Sequence, residues 1–582
     1  MSDNTINSTT QDACNAFADL LEASGVSRCV LSAGSRNAPL MVALTRRKEL
    51  RCTIIEDERT AAFYGLGIAQ KESAKATSAK GNAQRVKPVV IACTSGSALL
   101  NYTPAVAEAY YQRVPLIVVS ADRPEEWIDQ DDSQTIRQYG AIGSIVEKSY
   151  DIPSRYHSDA QKWYVNRMLN EAISLAQSKS RPVHINFHFA EPLYDTHCYE
   201  RGSARKVTTV QAQHRLSQGE IERLQEVYRN TRKVMIVGGF GRYSREATEA
   251  LRGLSMLDNT VVLTETIANI PAEGSRVIRT IDKVISTITE EQEEEFMPEL
   301  LITFGGSWVS RMLKGRLRKG GLKWHWHISE DDETVDVTTH LSAHIQMSAD
   351  EFFTQFVTEG NLQGNGENQY ASQWKTWTDK AQALHDEYVK NTTWCDLKAF
   401  SIITELIEGQ VDTLHLSNGT PIRYAQLFGE KITIPTFCNR GVSGIDGCTS
   451  TALGASSIAS GTTLLITGDM SFCYDIGALA SGILNARMKI IVINNGGGGI
   501  FRFIKGPDTL PELEDCFVIN RKRNVKGIAE AFDYGYFEAG SEQELREVFT
   551  EFIKCSGPAI LGINTSESDN AGILRGYFKR GH

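Results

Sequence analysis

Gly468-Asp469 and Asn494-Asn495 each close an apolar run, and four glycines, Gly496 to Gly499, follow the second pair. These residue types could hold a divalent cation beside a phosphate. Thr463 to Thr467 and Lys489 to Ile493 read as strands, and the stretch between them as a helical crossover. A crossover between parallel strands puts both carboxyl ends on one sheet edge, so the two polar ends meet where such sheets bind ligands. There Asp469 offers a carboxylate and Asn495 an amide carbonyl. Both are hard oxygens of the kind Mg²⁺ takes while keeping water and phosphate oxygens among its ligands. Glycines let the main chain approach a diphosphate that side chains would hold off. Taken singly, GD and NN dipeptides merely end strands; their spacing in a β-α-β setting favours the cation-diphosphate reading.

The elements that must position these residues repeat along the chain. Apolar runs alternate with helical patterns in three stretches, which predicts an α/β fold with mainly parallel sheets flanked by helices. The first stretch has strands at Arg28 to Ser32, Cys52 to Ile55, Pro88 to Thr94, Pro115 to Ser120 and Val183 to Phe187, with a polar surface loop expected over Lys71 to Lys87. The second has strands at Lys233 to Val237, Thr260 to Leu263, Leu300 to Phe304 and Leu322 to Ile328. A Gly- and Asn-rich linker from 358 to 373 precedes the third, so the expected domains are 1–190, 191–357 and 374–582. In LSAGSRNAPL, ACTSGSALLNYTPA, HLSNGTPIRYAQL, CNRGVSGIDGCTSTALG and ITGDMSFCYD, a strand ends in small polar residues and a helix begins at once. Each presents a helix N-terminus, with its free amides, to the same edge. Arg36, Arg423 and Arg440 lie in these turns and Arg123 follows a strand in SADRP, which favours anionic, carboxylate-bearing substrates.

At 582 residues, with 41% hydrophobic and 23% charged residues, the chain has the make-up of a soluble multidomain protein. Its formal charge of −10 argues against general nucleic-acid binding. No apolar run reaches the ~20 residues of a membrane span, and the N-terminus lacks the blocks of a signal peptide. The 11 cysteines are dispersed without CxxC spacing. Free thiols and a cytoplasmic location are therefore expected.

In IIEDERTAAFYGLGIA, Glu56, Asp57 and Glu58 precede a small-residue helix. Acids are favoured at helix N-termini by ~0.3 to 1 kcal/mol, and on that ground alone the run is helix capping. Two further runs carry weaker signals. GGFG at Gly238 to Gly241 lacks a complete GxGxxG fingerprint, and HWH at His325 to His327 fits a half-buried strand better than a metal site.

The GD-to-NN segment closely resembles the thiamine-diphosphate motif, which implies that fold architecture and, as Mg²⁺ ligands, Asp469, the Asn495 side chain and the Gly497 carbonyl, with Mn²⁺ as an alternative ion. By the same resemblance Glu58 would hydrogen-bond the pyrimidine ring, Ile445 would wedge the bent cofactor, and Gly441, Ser443, Met470, Ser471 and Ile500 would complete its site. The domains at 1–190 and 374–582 would be the pyrimidine- and diphosphate-binding ones around a central domain. Because Glu58 and Asp469 lie on different domains, the active site must form between domains or subunits; families of this type do so across a dimer, so the resemblance implies a homodimer or homotetramer. SAGSRNAPL, ERTAAFYGLGIA, TSGSALLNYTPAVAEA, SADRP followed by SQTIRQ, and CNRGVSGIDG narrow the resemblance to the 2-succinyl-5-enolpyruvyl-6-hydroxy-3-cyclohexene-1-carboxylate synthases of menaquinone biosynthesis. These decarboxylate 2-oxoglutarate and add the succinyl-semialdehyde carbanion equivalent to isochorismate. The match implies catalytic roles for Glu58, Arg36, Gln134 and Arg423, and substrate contacts from Ser35, Arg36, Arg123, Gln134, Arg311, Arg423, Arg440, Phe501 and Ile504. The chain departs from the family pattern at Ala33, Gly419, Ser310, Gly496 and Gly499. The first is a backbone matter, the next two put local hydrogen bonds in question, and the last pair is expected to loosen the glycine loop.

Overall fold

The computed structural model describes residues 4–78, 86–210, 212–359, 362, 369–521 and 523–580. Its strands are β1 (Thr5–Thr9), β2 (Arg28–Leu31), β3 (Arg51–Ile54), β4 (Val89–Cys93), β5 (Leu116–Asp122), β6 (Ser149–Pro153), β7 (Val183–His188) and β8 (Thr196–Glu200). Then come β9 (Val234–Gly238), β10 (Thr260–Thr264), β11 (Leu300–Phe304), β12 (Trp324–Ser329) and β13 (Ala343–Gln346). The last are β14 (Thr413–Leu416), β15 (Thr436–Cys438), β16 (Thr463–Gly468), β17 (Met488–Asn494), β18 (Gly535–Ala539) and β19 (Ala559–Asn564). They build three parallel sheets, in the orders β3-β2-β4-β5-β7-β6, β10-β9-β11-β12-β13 and β15-β14-β16-β17-β19-β18, plus an antiparallel β1–β8 pair. The first and third six-stranded sheets share one connectivity: subtracting twelve from each label of the third gives the first. In both, the order reverses beside the sheet's first strand in sequence, which opens a crevice at the carboxyl ends of β2 and β4 and of β14 and β16.

The central strands are fully buried, as parallel sheets covered on both faces require. This overturns the half-buried reading of HWH. His325, Trp326 and His327 on β12 are all buried, and the two histidines share the Thr303 hydroxyl at 2.9 Å each. The polar loop expected from Lys71 is also corrected, because the helix Glu58–Ser78 continues through its first eight positions. Ala, Lys and Glu favour helix more than the absence of an apolar stripe disfavours it. Positions 79–85 of that stretch, and half of the linker, 360–361 and 363–368, lie outside the described residues.

The chain divides into two compact units, Met1–Gln211 with Gly441–Ser460 and Cys473–Arg487, and Ala212–Arg440 with Gly461–Phe472 and Met488–His582. In the first, the helix Cys448–Ser457 lies almost against the helix Glu58–Ser78. A Cβ on Gly67 would stand 1.9 Å from the Thr451 carbonyl oxygen, and one on Gly454 2.0 Å from that of Tyr64. Only glycine permits that approach. In the second, the middle and third sheets are joined by buried polar contacts, among them Thr266 N donating to Gln426 Oε1 (3.1 Å) and Arg279 Nη1 to the Ile432 carbonyl (2.8 Å). The GGFG run belongs to this packing: a Cβ on Gly239 would meet the Gly306 carbonyl oxygen at 1.8 Å, and Gly306 N donates to the Phe240 carbonyl.

Candidate functional site

In the second unit, β16 delivers Asp469 and β17 delivers Asn495 in parallel register, Gly468 beside Ile493. Asp469 is fully buried at the start of the helix Asp469–Tyr474. Burial pushes its carboxyl pKa up, while Arg523 (Nη1 to Oδ2, 3.0 Å) and the amides of Met470 and Gly496 oppose that rise. The Asn495 amide nitrogen donates to Asp396 Oδ2 at 2.8 Å, which turns its carbonyl oxygen away from Asp396. Asp396 is itself fixed by Thr565 Oγ1 on Oδ1 (2.5 Å) and by its own amide on Asn570 Oδ1. Its burial lifts its pKa to about 6.

Two amides of the glycine loop are hydrogen-bonded. Gly498 N donates to the Val518 carbonyl at 2.7 Å and Gly499 N to the Gly497 carbonyl at 2.8 Å. Gly497 has φ +131°, and a Cβ there would stand 2.4 Å from the Val518 carbonyl oxygen, so the tight fold of this loop demands glycine. Beyond it, Ile500, Phe501 and Ile504 are half-buried. Met470 is half-buried and Ser471 buried in the first turn after Asp469.

The same unit gathers three of the sequence-derived arginines. Arg423, on the helix Thr420–Leu427, is half-buried; burial and the neighbouring charges of Arg311 and Arg440 lower its pKa. Its Nε and that of Arg440 are buried without a partner, and Arg440 Nη1 donates to Asn418 Oδ1 at 3.2 Å. Arg311 opens the helix Arg311–Leu317 at the end where the dipole disfavours a cation, a placement better suited to receiving an anion than to stability. Ser310 caps that helix, accepting from Leu313 N and donating to Asp282 Oδ1. Its hydroxyl is thus committed, which settles the question raised by the departure there. Glu265, buried and accepting from Val309 N and Ser310 N, is pushed up to about 7 by burial and by Asp282 against the pull of Arg440. Gly419 sits at φ +94°, ψ −133°, a conformation that leaves glycine as the favoured residue.

In the first unit, Arg123 and Gln134 both contact Ser95, which follows β4, and the charge of Arg36 lies near that of Arg123. Arg123 Nη1 reaches Ser95 Oγ (3.2 Å), its Nη2 the Ser133 carbonyl (2.7 Å) and its Nε Asp132 (2.5 Å). Gln134, at φ +58°, donates to the Ser95 carbonyl at 3.1 Å. Arg36 donates to the Phe189 carbonyl at 2.9 Å; burial and the nearby Arg123 charge lower its pKa. The glycine of the GSR run is obligatory, since a Cβ on Gly34 would meet Thr94 at 2.3 Å. Ser35 is exposed in the turn.

Glu58 stands at the first position of its helix, but Asp57 supplies the cap, accepting from Thr60 N at 3.2 Å. The Glu58 carboxylate is half-buried with Asn101 Nδ2 at 3.4 Å. Capping therefore does not account for it. The loop carrying Gly441, Ser443 and Ile445 is held by Glu108: its oxygens accept from Gly441 N (2.6 Å) and Val442 N (2.7 Å), and burial raises its pKa. Ser443 is left-handed at φ +68° and Ile445 is half-buried rather than a core residue.

Ser95, Glu108, Asp396, Glu265 and Arg523 were missed from sequence. The one usable signal was an acid set in an otherwise apolar or small-residue helix, as Glu108 is in TPAVAEAYY and Asp396 in CDLKAFSII. Were Asn495 to ligate Mg²⁺, as the resemblance implies, Asp396→Asn would lower Mg²⁺-dependent cofactor affinity about 10- to 100-fold, the usual cost of disturbing a residue that orients a metal ligand. A Mg²⁺ titration of cofactor binding checks this; unchanged affinity would show that Asn495 needs no such support.

Comparison with known proteins places these elements. Residues 11–141 match the family model described as thiamine pyrophosphate enzyme, N-terminal TPP binding domain, and residues 424–563 match the corresponding C-terminal TPP binding domain. Proteins named 2-succinyl-5-enolpyruvyl-6-hydroxy-3-cyclohexene-1-carboxylate synthase are similar over nearly the whole length. That of Porphyromonas gingivalis is 41% identical over 96% of this chain and 95% of its own. Those of Flavobacterium johnsoniae and Bacteroides fragilis are 36% and 34% identical, each over 96% of this chain and 97% of its own.

Proposed function

This chain belongs to the 2-succinyl-5-enolpyruvyl-6-hydroxy-3-cyclohexene-1-carboxylate synthase family, and from that premise we propose that it releases CO₂ from 2-oxoglutarate and joins the remaining succinyl unit to isochorismate. The supporting observation is the donor set at the β16–β17 edge: one buried carboxylate, one oriented amide carbonyl and bare glycine backbone. That set suits Mg²⁺ and a diphosphate. Among the described residues no group of three His, Cys, Asp or Glu offers a rival metal site.

Bound thiamine diphosphate supplies the electron sink that decarboxylation of a 2-oxo acid requires. Asp469, Asn495 and the Gly497 carbonyl would hold its ion, and Gly441, Ser443, Ile445, Met470, Ser471 and Ile500 its body. Glu58 would keep a proton at the pyrimidine nitrogen. Ser35, Arg36, Arg123 and Gln134, with Arg311, Arg423 and Arg440, would bind and orient the carboxylates of both substrates. Gln134 and Arg423 would act closest to the reacting carbon, where Phe501 and Ile504 exclude water. We assign the protein to a homodimer or homotetramer with the three-domain division given above. Eleven free cysteines suit a cytoplasmic setting.

Steady-state competition among pyruvate, oxaloacetate and 2-oxoglutarate, with isochorismate as acceptor, tests the proposal. Preference for 2-oxoglutarate by at least about tenfold in kcat/KM is expected, because the arginines would otherwise face an unpaired carboxylate site. No CO₂ release, or equal use of pyruvate, would refute it.

A further inference from the structure

His188 ends β7 with both ring nitrogens against oxygens. Nδ1 lies 2.6 Å from the Arg123 carbonyl and Nε2 2.8 Å from Asp151 Oδ1. A carbonyl can only accept, so Nδ1 must carry a proton. A neutral ring would then face Asp151 with a bare lone pair, whereas the imidazolium satisfies both contacts. Asp151 cannot take the donor's part, because its Oδ1 also accepts from Asn186 Nδ2 at 2.9 Å, an arrangement that favours carboxylate.

We propose that His188 is a positioning residue, held as an imidazolium at neutral pH, that fixes the main chain of Arg123 and thereby sets the affinity for a dicarboxylate substrate. This rests on Arg123 contacting substrate. The route is short: His188 grips the Arg123 carbonyl, and the guanidinium is then held by Ser95, Asp132 and Ser133. Beneath them, Gln138 ties Ala121, Asn186 and Gly96 together, so the histidine clamps one corner of a continuous network.

The charges facing the ring agree. Asp151 comes from β6 and Asp122 from β5, where it accepts from Arg123 N at 2.8 Å and Asn186 Nδ2 at 3.0 Å. Arg36 and Glu191 lie where the chain continues beyond β7. Burial opposes charge on the ring, but the hydrogen bonds to Asp151 and the Arg123 carbonyl, with the charges of Asp151 and Asp122, outweigh it and raise the pKa to about 9. A pKa raised above the ordinary ~6.5 gives a contribution that is complete below pH ~6.5 and disappears as pH climbs through the folded value. Substrate affinity should therefore weaken on the alkaline side, near pH 9.

Two measurements test this. Histidine-labelled wild-type protein is titrated by NMR, with His188→Gln identifying the resonance. An imidazolium signal at pH 7.5 that titrates near pH 9 is expected, and a neutral-ring signal at pH 7.5 overturns the proposal. Substrate KM is then measured across pH 7 to 10 in both proteins. His188→Gln, which keeps only one donor contact, should raise KM about tenfold at pH 7.5 and remove its alkaline rise, with kcat within about twofold. A variant retaining wild-type KM together with the alkaline rise also overturns it. Wild-type protein without carboligase activity would refute the proposed function and leave the NMR result to decide the state of His188.

Discussion

Glu58→Gln is expected to abolish carboligation while leaving cofactor uptake nearly unchanged. Glutamine keeps the length and shape of the side chain and can still accept from Asn101, and the helix retains its Asp57 cap, so stability should stay within about 0.5 kcal/mol. What glutamine cannot do is place a carboxyl proton at a ring nitrogen. Loss of such a group costs roughly 10²- to 10⁴-fold in rate. The residues proposed to hold the ion sit in the other compact unit, so cofactor affinity, measured by fluorescence quenching, should change less than about threefold. Turnover comparable to wild type would remove Glu58 from the mechanism.

Asp469→Asn should have the opposite signature. The amide oxygen still accepts from Met470 N, but the site loses the Asp469 carboxylate charge and Arg523 loses its counter-charge. Cofactor affinity with Mg²⁺ should fall at least about a hundredfold, equivalent to ~2.7 kcal/mol. Thermal melts separate this from simple destabilisation. A ligand at a hundred times its Kd stabilises a protein by ~2.7 kcal/mol, so wild type should gain several degrees with cofactor and Mg²⁺ while the variant gains almost nothing. An equal gain in both would show that the ion is held elsewhere.

How much of this was readable beforehand depends on distance along the chain. The GD and NN ends, the GSR turn and the acidic run at Glu58 were legible because each is a local pattern: a strand boundary, a helix start, a glycine where a neighbouring side chain leaves no room for a Cβ. Strands β6, β13 and β18 were not, since each is a sheet edge with mixed burial and a single hydrogen-bonded neighbour, which blurs the apolar signal. Polar supports were the hardest. Glu108 holds amides 333 and 334 positions away, Asp396 an amide 99 away, and His188 a carbonyl 65 away. No periodicity links such partners, and only a folded chain brings them together.

The interrupted make-up of the first compact unit bears on how the protein is made. Its early residues, Met1–Gln211, leave the ribosome long before Gly441–Ser460 and Cys473–Arg487, which complete it. Until then the face of the helix Glu58–Ser78 bearing Gly67 lacks the helix Cys448–Ser457, and Glu108 lacks the amides that accommodate its charge. The nascent chain must therefore carry an unfinished amino-terminal segment through the synthesis of some two hundred intervening residues, at ~5–20 residues per second, a delay in which chaperone capture competes with misassembly.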